Sequence, residues 1–132
     1  MKKILIVSAN YYEDINFSLI KFSKNYLKIK KIKCNLIKAS GVLEIPVTIS
    51  KYINKYDGFI ALGCVIKGKT PHFDLICSAT FNGLMNLSIK NKKPIGNGII
   101  TAHNKKQAVE RINSKSKEAC NALLTFFENV PE

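Results

Sequence analysis

The chain has 132 residues, 46% of them hydrophobic, and a formal net charge of +12. This length fits one domain over residues 1–132, with enough apolar side chains for a core. No stretch approaches the length of a membrane span, and the lysine-led apolar start is too short for a signal peptide and reads better as a strand.

The basicity is almost all lysine, and Arg111 is the only arginine. Lysine, isoleucine and asparagine are abundant together, as a drift toward AT-rich codons produces. A solvated basic surface is the simpler account of the charge, which by itself says little about partners; no nucleic-acid partner is expected. Cys34, Cys64, Cys77 and Cys120 have no metal-ligand spacing such as C-x-x-C. The cysteines thus suggest no metal site, and free thiols point to a reduced cytoplasm.

Residues 3–8, KILIVS, form a continuous apolar run, the mark of a strand buried on both faces. A polar loop, ANYYEDIN, follows. Apolar residues at helical spacing predict a helix over 17–29. CNLIKA, 34–39, reads as a short strand. SGVLEIPVTISKYINKY starts with a Ser-Gly turn and becomes a helix, with Pro46 tolerable only in its first turn. Residues 57–66 form the most apolar strand. KGKTPHFD is the loop and helix start after it, and 73–89 carries a helical pattern. KPIGNGIIT, 93–101, is the fourth strand. Asn104 suits the N-cap of a last helix toward residue 129, interrupted near 113–116.

Four βα units in succession predict an α/β fold with a parallel sheet and helices on both faces. Ligands in such folds bind beyond the carboxyl ends of the strands. Segments 9–14, 40–44, 67–72 and 97–103 converge there. GCVIKGKT, 63–70, formally fits the P-loop pattern, but residues 64–66 read as strand where a P-loop needs a turn, so a nucleoside triphosphatase is rejected. Gly68 frees the backbone to turn, and Pro71 suits a first helical position whose N–H groups bind anions. His72 beside that anion site can pass protons. Asp74 is a first-turn carboxylate favoured by the helix dipole. Tyr11 and Tyr12 are placed to stack on a planar heterocycle or to pack the loop. Glu44 is a helix cap or a partner for polar substrate groups. Arg111 is either retained by chance or kept as a planar bidentate clamp for phosphate that lysine does not copy.

ALGCVIKGKTPHFD, SGVLEIP, PIGNGIIT and QAVER together, in order and over nearly the whole chain, resemble the 6,7-dimethyl-8-ribityllumazine synthase family. SANYYEDI is a looser match to that family's A-R-F-Y-D-D-I. The resemblance implies a flavodoxin-like three-layer α/β/α sandwich on a four-stranded parallel sheet. It implies a cofactor-free transferase of riboflavin biosynthesis, condensing 5-amino-6-(D-ribitylamino)uracil with 3,4-dihydroxy-2-butanone 4-phosphate. It further implies a homopentamer or a pentamer-based capsid, with each site shared between neighbouring subunits.

Carried over by position, Tyr11 stacks on the pyrimidine, and Val42, Leu43 and Glu44 hold the ribityl chain. Val65 and Ile66 line the uracil pocket, Lys69 and Thr70 match the phosphate cradle, and His72 transfers protons. Asn97 and Arg111 come from the neighbour, Arg111 gripping the phosphate. The chain departs from the family at Asn10, where arginine is usual, at Leu43, where an aromatic is usual, and in a shorter loop after Arg111. The site lysine is Lys117 or Lys115, with Lys117 the better fit to K-x-K. The alternative on the same fold is an inactive basic module binding RNA or a flavin-like ligand.

Overall fold

A computed structural model describes residues 2–132. Its elements run β1 (Lys3–Ala9), α1 (Glu13–Ile29), β2 (Lys33–Ala39), a 3₁₀ turn (Val42–Glu44), α2 (Ile45–Lys51), β3 (Gly58–Ile66), α3 (His72–Asn91), β4 (Ile95–Ala102), α4 (Lys105–Glu110) and α5 (Ile112–Glu128). The four strands form an all-parallel sheet in the order β2-β1-β3-β4. The α/β prediction is met.

Period-two alternation divides the core between the two faces of the sheet. Ile4, Ile6, Ile60 and Leu62 pack with Ile15, Leu19, Cys120 and Leu123 of α1 and α5. Leu5, Val7, Phe59 and Ala61 pack with Ile45, Ile49 and Leu84 of α2 and α3. β1 and β3 bury side chains on both faces, which is why they read as unbroken apolar runs. None of the described helices is long and apolar enough to cross a membrane.

Boundaries shift where polar residues hide a helix. α1 begins at Glu13, four residues before the apolar period does, because Glu13 and Asp14 carry no periodic signal yet suit the positive helix end. The last helix breaks at Arg111 rather than at 113–116. Ser114 and Ser116 donate to the carbonyls of Arg111 and Ile112, at 3.2 and 2.8 Å, so the helix absorbs them. Asn104 caps α4 as expected, its side chain accepting from the Gln107 N–H at 2.9 Å.

Candidate active site

Parallel strands deliver their following loops to one rim. There a cleft of about 360 Å³ opens over the end of β3. Tyr11, Val42, Leu43, Glu44, Val65, Ile66 and His72, all singled out from the sequence, line it together. Tyr12, Gly41, Cys64 and Ile76 complete the wall.

Tyr11 is 74% exposed and meets the half-buried Tyr12 edge-to-face, centroids 4.9 Å apart. An exposed ring braced in this way presents a face for a planar ligand. Burial raises the Tyr12 hydroxyl above its usual value, with Cys64 and Tyr11 adding to the effect and Lys105 opposing it. Burial pushes the Cys64 thiol up to about 11, with help from Asp14, so it is no nucleophile at neutral pH.

Glu44 is held by its own turn. Ser40 Oγ donates to Glu44 Oε1 at 3.0 Å, and the Glu44 N–H donates to the Gly41 carbonyl at 3.2 Å. A Cβ at Gly41 would stand 2.9 Å from the same Oε1, so glycine leaves the carboxylate its place. Sequence reasoning missed this role for Ser40 and Gly41. The only signal was the polar, small Ser-Gly pair before Glu44, read as a turn.

The strand reading of GCVI holds, since Gly63 to Ile66 lie within β3. Gly63 serves packing: a Cβ there would lie 2.9 Å from Val42 Cγ2. The expected turning role of Gly68 is corrected. No glycine among the described residues has a positive φ, and a Cβ at Gly68 would meet nothing within 4 Å. Neither conformation nor internal packing requires that glycine. Lys69 and Thr70 lie on the exposed loop just before α3 and do not line the cleft. Thr70 Oγ1 accepts from the His72 N–H at 3.4 Å, tying the loop to the first turn of α3. Asp74 sits in that turn as predicted.

Three predicted residues lie elsewhere. Asn97, on β4, lines a separate hollow of about 230 Å³ with Phe81 and Met85, and its Oδ1 accepts from the Ile99 N–H at 3.0 Å. Arg111 joins α4 to α5, and its Nη1 donates to the Thr101 carbonyl at 2.6 Å near the end of β4. Lys117 is exposed on α5, whereas Lys115 is half-buried and paired with Glu118 at 3.6 Å. Asn10 borders a further hollow, of about 440 Å³, on the α1 side.

One chain thus holds an aromatic and carboxylate cleft that Asn97, Arg111 and Lys117 do not line, although Arg111 reaches Thr101, the β4 neighbour of Val65. The 6,7-dimethyl-8-ribityllumazine synthase family model matches residues 1–130. The chain is 37% identical to the synthase of that name from Agrobacterium fabrum, over 95% of this chain and 92% of the relative. It is 38% identical to that of Zymomonas mobilis, over 96% and 95%, and 40% identical to that of Bartonella tribocorum, over 86% and 78%. On this similarity, which spans nearly its whole length, the chain belongs to the 6,7-dimethyl-8-ribityllumazine synthase family of enzymes.

Proposed function

We propose that the protein, as a single domain over residues 1–132, condenses 5-amino-6-(D-ribitylamino)uracil with 3,4-dihydroxy-2-butanone 4-phosphate. The products are 6,7-dimethyl-8-ribityllumazine, phosphate and water, and the step belongs to riboflavin biosynthesis. The observation that carries this reading is the cleft in which Tyr11, Glu44, Val65, Ile66 and His72 meet, in a chain of this family.

In this reading the Tyr11 ring stacks on the uracil, and Val65 and Ile66 form its pocket. Glu44, oriented by Ser40, accepts hydrogen bonds from the ribityl hydroxyls, alongside Val42 and Leu43. The amides around Lys69 and Thr70, Arg111 of a neighbouring subunit and Lys117 hold the phosphate. Asn97 of the neighbour closes over the heterocycle. The free amine of the pyrimidine attacks the ketone, and water leaves to give an imine. Phosphate departs with the C–O electron pair, neutralised by the surrounding cations. The ribitylamino nitrogen then closes the ring with loss of a second water. His72 moves protons in these steps. Positioning supplies much of the acceleration.

A homopentamer, alone or as the unit of a capsid, places the groups near β4 of one subunit beside the cleft of the next. The cytoplasm is the proposed compartment. The test mixes purified protein with both substrates and follows the absorbance and fluorescence of the lumazine. Folded, assembled protein that makes no product would overturn the proposal and leave an inactive binding module on the same fold.

A further inference from the structure

The topology sorts the lysines in a way the linear sequence does not reveal. Every strand begins at one edge of the sheet, opposite the cleft. Lysines gather there from every connection: two at the start of β1, four from the end of α1 into β2, two between the end of α2 and β3, and three from the end of α3 to β4. That is eleven of the twenty lysines. Three carboxylates share the edge, Asp57, Glu128 and Glu132, so it holds a surplus of eight of the chain's net twelve positive charges. Codon drift enriches lysine but does not choose an edge.

Helix dipoles account for part of the sorting, since α1, α2 and α3 all end at this edge. Lysines in a last turn are favoured there, and these are Lys28, Lys51 and Lys90. Lys30 and Lys92, the C-caps of α1 and α3, gain from the same dipoles, whereas Lys3 and Lys33 open strands, where no dipole rewards them. Gathering like charge costs stability unless an anion meets it. A second copy docking through this edge would bring like charges together, so self-association does not explain it. An anionic bilayer needs an apolar patch to insert, yet the exposed apolar residues here are divided between the sheet faces: Ile29 and Val130 beside α1 and α5, Ile89 on α3. Half-buried rings do lie among the lysines. Lys3 stands 5.3 Å from the Tyr56 centroid, and Lys51 and Lys55 stand 5.5 and 5.8 Å from that of Tyr52. Ammonium groups cover the faces of these core-packed rings, so the edge offers a ligand charge rather than stacking surface. That suits a polynucleotide, whose flexible backbone brings successive phosphates to lysines spread over several connections.

We infer that this edge is a binding surface for a single nucleic-acid strand, distinct from the catalytic cleft. About six phosphate contacts would give a log–log salt slope of about −4, roughly a sixteenfold loss of affinity for each doubling of salt.

The experiment measures fluorescence anisotropy of a labelled 20-nucleotide oligouridylate with the full-length assembled protein across a salt series. The edge variant Lys28→Gln/Lys30→Gln/Lys90→Gln should flatten the slope by about 2, at about 0.7 per lost contact. A charge-matched variant away from the edge, Lys21→Gln/Lys38→Gln/Lys106→Gln, should leave it nearly unchanged. Both variants should keep the wild-type assembly and lumazine formation, which shows that they fold. Equal flattening by the two variants, a salt-independent signal, or retention on phosphatidylserine vesicles without oligouridylate binding would each overturn the inference.

Discussion

The same substitution at two glycines should have opposite effects. A Cβ on Gly96 would lie 2.2 Å from the Ala119 carbonyl oxygen and 2.9 Å from its carbon. Ordinary contact begins at 3.4 Å, so in Gly96→Ala the α5 backbone must retreat from β4 by about 1 Å. That lifts Ala119, Cys120 and Leu123 out of the core on that face of the sheet. Overpacking costs about 1–3 kcal/mol, and loosened helix contacts add to it. The expected loss is about 3 kcal/mol, or about 12 °C in Tm at roughly 4 °C per kcal/mol for a chain of this size. At Gly68 a Cβ meets nothing and φ is not positive, so Gly68→Ala should hold or gain about 0.5 kcal/mol through the unfolded chain. If that glycine lets a phosphate approach the loop amides, Gly68→Ala should still lose at least tenfold in kcat/KM for the butanone phosphate. Denaturant and thermal unfolding, with steady-state kinetics, measure all of this. A Gly96→Ala protein within 1 kcal/mol of wild type would refute the close-packing argument. A fully active Gly68→Ala protein would refute the role of the loop.

Arg111→Lys keeps the charge but loses the planar fork, so KM for the butanone phosphate should rise about ten- to a hundredfold while that for the pyrimidine changes less than threefold; equal changes would remove Arg111 from the phosphate. Lys117→Ala should reduce kcat/KM for the butanone phosphate more than tenfold and Lys115→Ala less than threefold, since Lys115 already pairs with Glu118; the reverse order would make Lys115 the site lysine. Burial pushes the Cys64 and Cys120 thiols from 9.0 up to about 11. The unfolded chain ionises them first, so their stabilising effect is whole below pH 9 and is lost as pH rises to about 11. Chemical denaturation should show a decline over that window worth about 1–2 kcal/mol per thiol, and Cys120→Ala should remove part of it; a flat profile would contradict the burial argument.

How legible each feature was depended on how many neighbours it needs. Strands β1 and β3 were plain because burial on both faces leaves an unbroken apolar run. The helix around Ser114 and Ser116 was misread because serine looks like a breaker. Only the structure shows Ser116 buried and its hydroxyl turned back on the Ile112 carbonyl. Glu44 was found as a motif residue, but its brace on Ser40 and Gly41 depends on a side-chain conformation. The surplus of lysine was visible by count, whereas its placement at one edge follows from the strand order. Asn97, Arg111 and Lys117 were assigned together with Tyr11 and His72, yet in one chain none of the three lines that cleft.

That separation has a quantitative consequence if the two halves meet between subunits. His72→Ala damages only the cleft half, and Arg111→Ala only the half near β4. Each variant alone should be nearly inactive. Mixed one to one and assembled at random, a site is intact when its cleft comes from the Arg111→Ala chain and its arginine from the His72→Ala chain. Each choice has a chance of one half, so about one quarter of wild-type activity should return, without any change in the chains themselves. Co-expression with two different affinity tags, tandem purification and the lumazine assay give the number. Activity no higher than the mean of the two variants, in assemblies shown to contain both chains, would mean that Arg111 reaches the cleft of its own subunit or none.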